Sequence, residues 1–454
     1  MALQTINPAT GELIQEFKEM GKDEINKLLD ASVVAYKEWR NTSFETRSKL
    51  LLKVAEDLRK NSLEYGRIIT LEMGKPLAQA VAEVEKCAWG CEYYAEHAEE
   101  FLADDVIQTE AQKSYVHYQP LGVLLAVMPW NFPFHQVFRA AAPATMAGNV
   151  VVLKHASNVT MSALKMVEIF ERAGYPKGVF STLLVGGAHM DVIVADARIA
   201  AATVTGSEFA GSRVAAVAGE HIKPTVLELG GSDPFIILDD ADLDAAVAGA
   251  VTGRTLNAGQ SCICAKRFIV VESVYDEFVD KFVPAMEALK MGDPQDVETQ
   301  IGPLARVDLR DELHKQVERS VAKGAKILTG GKIPDMPGSY YPPTVLVNVA
   351  PGMPAYEEEF FGPVAIVIKV KDETDAIRVA NDSRFGLGGA VWSQDIERAQ
   401  RVAHQVESGA VFINDFVKSD PRLPFGGIKK SGYGRELSRH GIHEFVNAKT
   451  IVVK

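Results

Sequence analysis

Short apolar runs alternate with longer segments of helical periodicity from about Leu121 to Asp415, and this alternation constrains the fold more than any other feature of the sequence. Apolar runs of four to eight residues between turn residues are typical of buried strands. Strands that alternate with helices favour a parallel sheet with helices on both faces. The sequence therefore predicts an α/β fold built on parallel sheets.

The predicted elements change in kind along the chain. The first hundred residues are mainly helical and amphipathic, as in Lys22–Tyr36 and Thr46–Leu63. The segments predicted as strands are Tyr115–Gln119, Val150–Leu153, Val179–Val185, Ile199–Val204, Thr225–Leu229, Phe235–Leu238, Phe268–Val271, Gly362–Val370 and Val411–Asn414. These changes of content indicate domain borders near residues 100–120 and 229.

Charge and cysteine content exclude several classes of protein. The 48 Lys and Arg residues against 60 Asp and Glu residues give a net charge of −12. Such a surface repels nucleic acid and anionic membranes, so neither is an expected partner. The longest apolar run, Leu121–Trp130, is too short to span a bilayer. The N-terminal residues, including Met1 and Ala2, lack the pattern of a signal peptide, and four cysteines are too few for a disulfide framework. We therefore expect a cytoplasmic protein.

Common nucleotide and metal signatures are absent. No G-x-G-x-x-G follows a predicted strand, and Gly206–Gly211 has the glycine spacing of a P-loop but Ser212 in place of its lysine. The histidines are scattered, so we predict no metal site.

Two residues stand out for their chemistry. Cys262 follows a glycine-containing turn after a helical segment, where a side chain can face a cleft. Glu228 lies inside an apolar strand, and a carboxylate there is costly unless it is paired or used as a general base. Two alternatives remain open: Cys262 as a packing residue and Glu228 as a member of a structural ion pair.

Five motifs in one order resemble the aldehyde dehydrogenase superfamily, and the resemblance covers nearly the whole chain. They are Pro129–Pro133 (PWNFP), Leu227–Gly231 (LELGG), Gly259–Cys262 (GQSC), Glu359–Pro363 (EFFGP) and Pro424–Gly427 (PFGG) with Ser431-Gly432. The pattern, with Cys-x-Cys at the nucleophile, is most similar to succinate-semialdehyde dehydrogenases.

The resemblance implies three domains. It predicts a Rossmann-like cofactor-binding domain at residues 1–102 and 122–228 and an α/β catalytic domain at 229–430. A small β element for oligomerisation is predicted at 103–121 and 431–454. A homodimer or homotetramer is expected.

The resemblance also implies the catalytic residues. Cys262 is expected to attack the aldehyde and form a thioester. The Asn131 side chain and the Cys262 backbone N–H are expected to stabilise the oxyanion, and Glu228 to activate the water that releases the acid. A thiol hydrolase without redox chemistry is the alternative from another enzyme class.

The cofactor site implied by the resemblance draws on both predicted large domains. Its expected residues are Trp130, Asn131, Lys154, Ser157, Gly206, Ser207, Glu208, Leu229, Glu359 and Phe361. NAD-preferring relatives typically have Glu where Ser157 stands. Because Glu would repel the 2′-phosphate and Ser can donate to it, we predict a preference for NADP, with NAD as the weaker alternative.

The predicted substrate is a short aldehyde with a distal carboxylate. The distal carboxylate is inferred because relatives put an arginine for it where Arg139 stands, and succinate semialdehyde is predicted above others such as glutarate semialdehyde. The alternative for Arg139 is a surface or intersubunit salt bridge. Relatives often carry a second arginine six residues before the nucleophile, but here Leu256 occupies that position. Ser419 or Lys418 is predicted to compensate.

Cys264 lies two residues after the predicted nucleophile. It is either a packing residue or a resolving thiol that forms a reversible disulfide with oxidised Cys262. We predict the second, with recovery from peroxide as its consequence.

Overall fold

The computed structural model describes residues 3–454. Met1 and Ala2, on which the N-terminal prediction and the start of the predicted cofactor domain fall, lie outside the described residues.

Helices cover the N-terminal region and alternate with strands thereafter. The helices are α1 (Lys22–Trp39), α2 (Phe44–Lys60), α3 (Ser62–Met73), α4 (Leu77–Phe101), α5 (His135–Met146), α6 (Thr160–Ala173), α7 (Met190–Ala195), α8 (Glu208–Glu220), α9 (Leu243–Thr255), α10 (Glu272–Glu287), α11 (Val307–Ala322), α12 (Pro354–Glu357), α13 (Glu373–Asn381), α14 (Ile396–Ala403) and α15 (Ser438–His443). Short 3-10 turns lie at Gly187–His189 and Leu256–Gly259.

The strands are β1 (Leu3–Ile6), β2 (Leu13–Phe17), β3 (Asp105–Val106), β4 (Lys113–Pro120), β5 (Val123–Met128), β6 (Val150–His155), β7 (Phe180–Thr182), β8 (Ile199–Thr205), β9 (Thr225–Glu228), β10 (Asp233–Ile237), β11 (Ala265–Val271), β12 (Lys326–Thr329), β13 (Thr344–Val347), β14 (Val364–Val370), β15 (Phe385–Gly386), β16 (Gly388–Trp392), β17 (Ala410–Ile413), β18 (Ile428–Lys429), β19 (Gly432–Tyr433) and β20 (Val446–Val453).

Two large, mainly parallel sheets organise these elements. The first has six strands in the order β19-β9-β8-β5-β6-β7, and only β19 runs antiparallel. The second has seven strands in the order β12-β13-β14-β11-β10-β16-β17, and only β12 runs antiparallel. The predicted α/β fold with parallel sheets is therefore confirmed.

Each sheet has its own hydrophobic core. Helices α2 to α6 pack with the strands of the six-stranded sheet in one large cluster. In the seven-stranded sheet the side chains alternate between two cores: Ile236 and Ile269 face one, and Phe235 and Phe268 face the other. This alternation is the period of two of a strand buried on both faces.

A third sheet joins the two segments predicted as an oligomerisation element. It has three strands in the order β20-β4-β3, with Val446 opposite Pro120 and Val453 opposite Lys113. Strand β19 belongs elsewhere, because Gly432 and Tyr433 pair with β9 in the six-stranded sheet. The division into domains stays a prediction.

The predicted strand at Val179–Val185 is longer than the observed one. Strand β7 ends at Thr182, and the Leu184 carbonyl accepts a hydrogen bond from the Met20 N–H instead of continuing the ladder. The N-terminal segment that contains Met20 therefore ends strand β7 at the edge of the six-stranded sheet.

Candidate active site

Loops at the carboxyl edge of the six-stranded sheet carry one half of the predicted site. Strand β5 leads to Asn131, β6 to Ser157, β8 to Ser207, and β9 ends at Glu228. Neighbouring parallel strands end at the same edge of a sheet, and in α/β folds ligands bind at this edge. The fold therefore gathers these residues although they are far apart in the sequence.

The amino edge of the seven-stranded sheet supplies the other half. Cys262 lies just before β11, and Glu359 and Phe361 lie just before the neighbouring parallel strand β14. A cavity of about 220 Å³ separates the two edges. Its lining residues are Pro129, Trp130, Asn131, Gln136, Thr205, Gly206, Ser207, Glu228, Leu229, Gly230, Cys262, Leu309, Glu359 and Phe361.

The loop that presents Cys262 has an unusual backbone. Asn257 and Ala258 both have left-handed conformations, and Gly259 follows with φ of +76°. A Cβ atom at Gly259 would lie 2.3 Å from the Gly362 carbonyl oxygen, so only glycine fits. The buried Lys266 ammonium then donates to the carbonyl oxygens of Ser261 (3.0 Å) and Cys262 (2.7 Å). These contacts fix the chain around the thiol.

Burial raises the pKa of the Cys262 thiol to about 12. The positive charges of Arg139 and Lys266 act in the opposite direction and favour the thiolate. The thiol therefore lies in an apolar pocket, where these two cations are the groups that favour its thiolate form.

Asn131 is held by contacts on several sides. Its side-chain amide donates to the Gln260 carbonyl oxygen at 3.1 Å, which ties it to the loop of the predicted nucleophile. The backbone carbonyl oxygen of Asn131 accepts from Lys75 (2.9 Å) and from the Asn257 side chain (2.8 Å). One amide hydrogen of Asn131 remains for a ligand in the cavity.

A buried ion pair between the α3–α4 loop and α4 stabilises the same loop. Lys75 of the α3–α4 loop pairs with Glu83 of α4, and the other Glu83 oxygen accepts from the backbone N–H groups of Phe134 (2.9 Å) and His135 (3.0 Å). The sequence analysis missed this pair. Its only signal is Glu83 at a core position of α4.

Glu228 is 2% exposed, and neither carboxylate oxygen has a hydrogen-bond partner among residues 3–454. Burial raises its pKa well above the usual value, and the nearby carboxylate of Glu436 adds to this effect, while Arg139 opposes it. A buried, unpaired carboxylate with a raised pKa has the properties of a general base.

The structure does not bring Arg139 to the cavity that holds Cys262. Arg139 is 4% exposed and forms an ion pair with Glu436, and its guanidinium also donates to Thr205 at 3.4 Å. This ion pair is buried and lies within one chain, so it is neither the surface nor the intersubunit salt bridge that the sequence analysis left open. The role of Arg139 as the residue that binds the substrate carboxylate is not supported by this geometry, because its charge is already compensated.

The Ser419 hydroxyl has two hydrogen-bond partners. Its hydroxyl oxygen accepts from the Lys86 ammonium at 2.7 Å, and it lies 3.2 Å from His135 Nε2. Burial lowers the pKa of His135 well below its usual value, so this ring is neutral. Lys86 was not singled out by the sequence analysis.

A second, larger cavity of about 540 Å³ opens beyond β6 and contains Lys154 and Ser157. Burial lowers the pKa of Lys154, with a partly opposing effect of the Glu19 charge, and no ion pair engages its ammonium in the described part of the chain. The Ser157 hydroxyl likewise has no hydrogen-bond partner within residues 3–454. Free donors of this kind suit the ribose and phosphate of a dinucleotide.

Helix α8 begins at the smaller cavity, which Gly206 and Ser207 line. The Ser207 hydroxyl caps it by accepting from the Ala210 N–H at 3.3 Å, and the position of a Cβ atom at Gly206 is open. Such a helix start provides N–H groups for a phosphate. Glu208 does not line either cavity, since its carboxylate faces Arg384 (2.6 Å) and Lys430 (3.5 Å).

Glu359 and Phe361 face the first cavity from the seven-stranded sheet. Glu359 accepts from the Gly231 N–H at 3.0 Å and lies 3.3 Å from Lys266. A Cβ atom at Gly230 would lie 2.3 Å from a Glu359 carboxylate oxygen, so any other residue there would displace this side chain. Phe361 meets Trp130 edge to face at 5.7 Å, and Leu229 packs against Gly211 of α8. The donors, the open helix start and the aromatic wall fit a nicotinamide dinucleotide.

Cys264 is buried and turned away from the cavity. Its thiol lies 3.7 Å from the Leu256 carbonyl oxygen, and all four cysteines are free. The reversible disulfide with Cys262 stays a prediction, and it requires a rearrangement of this loop.

The described residues contain neither a metal cluster nor a membrane-spanning helix. No cluster of His, Cys, Asp or Glu within residues 3–454 could hold a metal ion. In the same part of the chain, no helix combines the length and the apolar character needed to cross a membrane.

Comparison with known proteins agrees with this geometry. The model of the aldehyde dehydrogenase family matches residues 1–451, and the chain belongs to this family. The family predicted from the motifs is thereby confirmed.

The chain is similar to named members of the family over its whole length. It is 54% identical to the "probable succinate-semialdehyde dehydrogenase", NADP(+)-specific by its name, of Synechocystis sp., over 99% of both chains. It is 52% identical to the NADP(+) succinate-semialdehyde dehydrogenase 1 of Mycobacterium tuberculosis, again over 99% of both. Among solved structures, succinic semialdehyde dehydrogenase from Streptococcus pyogenes in complex with NADP+ superposes with a TM-score of 0.98, at 41% identity and 99% coverage of both chains.

Proposed function

We propose that this enzyme oxidises succinate semialdehyde to succinate with NADP+ as the electron acceptor. The observation that carries the proposal is the single cavity in which Cys262, Asn131 and Glu228 meet beside Glu359 and Phe361. The names of the relatives from Synechocystis sp. and Mycobacterium tuberculosis support the choice of aldehyde and of cofactor.

The first half of the reaction takes place at Cys262. Its thiolate attacks the carbonyl carbon of the aldehyde, and the Asn131 amide with the Cys262 backbone N–H stabilises the resulting oxyanion. Bound NADP+ supplies the acceptor for the hydride that leaves the former aldehyde carbon. A thioester between Cys262 and the acyl group remains.

The second half needs a base and water. Glu228 takes a proton from water, whose oxygen attacks the thioester carbon. The carbon–sulfur bond then breaks, the acid leaves, and the Cys262 thiolate is restored. The absence of any hydrogen-bond partner for Glu228 within residues 3–454 leaves both of its oxygens available for this water.

Lys154 and Ser157 support the preference for NADP. A hydroxyl and an ammonium without partners in the described chain can both donate to the 2′-phosphate. Ser207 and Gly206 at the start of α8 would hold the pyrophosphate, Glu359 the nicotinamide ribose, and Trp130, Leu229 and Phe361 the rings. Glu208 contributes only the first turn of that helix.

We also propose a homodimer or homotetramer in the cytoplasm. The three-stranded sheet supports assembly, because the β20 pattern exposes Val452 and Val453. The four free thiols support a reducing compartment.

The test is a kinetic panel with purified enzyme, followed by the absorbance of the reduced nicotinamide. We expect kcat/KM to be higher for succinate semialdehyde than for butanal, and higher with NADP+ than with NAD+ at equal concentrations. Equal values for the two aldehydes would contradict the substrate, and a preference for NAD+ would contradict the cofactor. Hydrolysis of a thioester substrate by an enzyme that reduces no nicotinamide with any aldehyde would favour a thiol hydrolase.

A further inference from the structure

Glu72 is a buried carboxylate near the end of α3. Within residues 3–454 it accepts four hydrogen bonds, all from uncharged groups. The donors are the Thr5 hydroxyl (2.9 Å), the Met161 N–H (2.8 Å), the Ser162 N–H (2.8 Å) and the Ser162 hydroxyl (2.6 Å). Burial of a carboxylate is costly, and hydrogen bonds offset this cost only when the donors are held in place. Glu72 therefore joins α3, β1 and α6, which are distant from one another in the sequence.

The contact with Met161 and Ser162 fixes the start of α6. The N-cap residue of this helix is Val159, whose side chain accepts no hydrogen bond, so the helix has no cap of its own. The first N–H groups of a helix have no partner within the helix, and a negative charge near them is favourable. Glu72 supplies both the acceptor and the charge from a position 89 residues earlier in the chain. The position of the α6 start is thus set from α3.

The start of α6 is connected to Ser157. The Thr160 hydroxyl, one residue before Met161, donates to the Ser157 carbonyl oxygen at 3.2 Å. Ser157 and Asn158 both line the larger cavity. A shift of the α6 start therefore moves the Ser157 hydroxyl, which is proposed to meet the 2′-phosphate.

The contact with Thr5 fixes another part of the wall of the same cavity. Gln4 and Ile6 of β1 line this cavity, whereas Thr5 between them is buried and donates to Glu72. Side chains of a strand alternate between its two faces in this way. Strand β1 belongs to a two-stranded sheet with β2, and an isolated pair of strands has little stability of its own. The place of β1 beside the cavity therefore depends on side-chain contacts such as this one.

We propose that Glu72 is a positioning residue for NADP+: its carboxylate fixes the start of α6 relative to β1 and so keeps the ribose end of the cofactor cavity in the shape that binds the 2′-phosphate. This inference rests on the proposed function, since it takes NADP+ as the cofactor. Glu72 lines neither cavity, so it acts through the backbone of the segments that it joins. The side chains of Lys154 and Ser157 stay free to meet the phosphate.

The main test replaces the carboxylate by an amide of the same shape. Glu72→Gln puts an NH2 group where N–H and O–H groups already point, so at least one hydrogen bond is lost. We expect KM for NADP+, and its Kd from fluorescence titration, to rise about 3- to 10-fold, the change that corresponds to one hydrogen bond. The rise for NAD+, which lacks the 2′-phosphate, should be smaller. At saturating NADP+, kcat should stay within about twofold of wild type, because the contacts of Asn131 with Lys75 and Gln260 are untouched.

Glu64→Gln is the matched control on the same helix. The Glu64 carboxylate is exposed and lies 3.5 Å from Lys165 of α6, so this variant also removes a contact between α3 and α6, but at the surface. An exposed pair of this kind contributes little. We expect KM for NADP+ and kcat to stay within about twofold of wild type.

Thr5→Val tests the contact with β1 alone. It removes the hydroxyl and keeps the three contacts of Glu72 with α6. KM for NADP+ should rise about two- to fivefold, with kcat within about twofold of wild type. If Glu72→Gln does not fold, this variant decides, and an unchanged KM for NADP+ would overturn the proposal.

Hydrogen exchange of the full-length protein without cofactor locates the change. In Glu72→Gln, a peptide that contains Met161 and Ser162 should exchange faster than in the wild type, because these amides lose an acceptor. A peptide from β5 should exchange as before. Equal exchange of the α6 peptide in the two proteins would contradict the role of Glu72.

The outcomes separate this inference from the function on which it rests. A wild type that prefers NAD+ contradicts the proposed cofactor, whatever the variants do. A wild-type affinity for NADP+ that persists in Glu72→Gln contradicts the role of Glu72 alone. A lower kcat with both cofactors at an unchanged Kd for NADP+ would mean a general structural role, and a rise by the same factor for NAD+ would remove the link to the 2′-phosphate; either result overturns the proposal.

Discussion

The two cavities of the cleft differ in how far the chain fixes their side chains. In the smaller one, Asn131 and Glu228 are 4% and 2% exposed. Hydrogen bonds tie Asn131 to Lys75, in the loop between α3 and α4, and to the loop of Cys262, whereas the Glu228 carboxylate is buried without a hydrogen-bond partner in residues 3–454. In the larger one, Lys154 and Ser157 have no side-chain partner in the described chain. The difference indicates that the reacting end is rigid and intolerant of change, whereas the ribose end can be altered to choose another cofactor.

The rigidity of the reacting end is tested most directly at Asn131. Asn131→Ala removes the proposed donor to the oxyanion and the hydrogen bond to the Gln260 carbonyl oxygen. We expect kcat to fall about 10²- to 10³-fold, as for other oxyanion donors. Steady-state kinetics provide the measurement, and NADP+ affinity, measured by fluorescence titration, should change little.

A control variant separates the loss of a hydrogen-bond donor from a general loss of packing in the cavity. Gln136 lines the same cavity but has no assigned part in the reaction. If Gln136→Ala lost as much activity as Asn131→Ala, the whole cavity would be sensitive to truncation and the role of Asn131 as a donor would not stand.

The adaptability of the ribose end is tested by Ser157→Glu. A carboxylate at this position repels the 2′-phosphate of NADP+ and accepts hydrogen bonds from the ribose of NAD+. We expect the ratio of kcat/KM for NADP+ to that for NAD+ to fall about 10- to 100-fold, with kcat for the better cofactor within a few-fold of wild type. Ser157→Ala is the matched control, for which we expect a smaller fall of this ratio. An unchanged ratio would mean that Ser157 does not contact the phosphate.

The influence of buried charge on the general base is tested by Glu436→Gln. Glu436 raises the pKa of Glu228, and its loss also leaves Arg139 free to lower that pKa. Glu228 must be deprotonated to act, so the acidic limb of acyl-enzyme breakdown should move to lower pH. Single-turnover kinetics across pH measure this shift. The Glu444 carboxylate also raises the pKa of Glu228, but less than Glu436 does. Glu444→Gln should therefore give a smaller shift of the acidic limb, and a larger shift would contradict the role assigned to Glu436.

The smallest effect is expected at Cys264. Because its thiol faces Leu256 rather than the cavity, Cys264→Ala should leave the initial rate within about twofold of wild type. After peroxide and then dithiothreitol, the wild type should regain activity and the variant should not. Recovery of both proteins, or a Cys262–Cys264 peptide that lacks the two-hydrogen mass loss, would leave Cys264 as a packing residue.

The local sequence pattern was sufficient to predict the strands that carry the site. The strand that carries Glu228 is predicted at Thr225–Leu229 and observed at Thr225–Glu228, and Val150–Leu153 lies within β6. Period and turn residues act over short distances, so the sequence records them directly. Asn131, by contrast, was found by resemblance, since nothing in its local pattern distinguishes an oxyanion donor from a residue in a turn.

Contacts between distant segments explain what the sequence did not reveal. Arg139 was expected to face the substrate because relatives place an arginine at this position, and the sequence did not reveal the ion pair with Glu436, which lies far along the chain. Lys86 was overlooked for a related reason: a lysine on an amphipathic helix is usually solvated, and only the packing of Ser419 and His135 against it shows that it is not.

The pairing of β19 with β9 has a consequence for the synthesis of the protein. Gly432 lies opposite Glu228, and the Leu229 N–H donates to the Ser431 carbonyl at 2.9 Å. A nascent chain that has released Cys262, Asn131 and Glu228 from the ribosome still lacks the edge strand that holds the general base. Translation must pass residue 432 before the six-stranded sheet can be complete. Messages cut short before this point therefore yield chains that contain Cys262, Asn131 and Glu228 but lack the edge strand that pairs with β9.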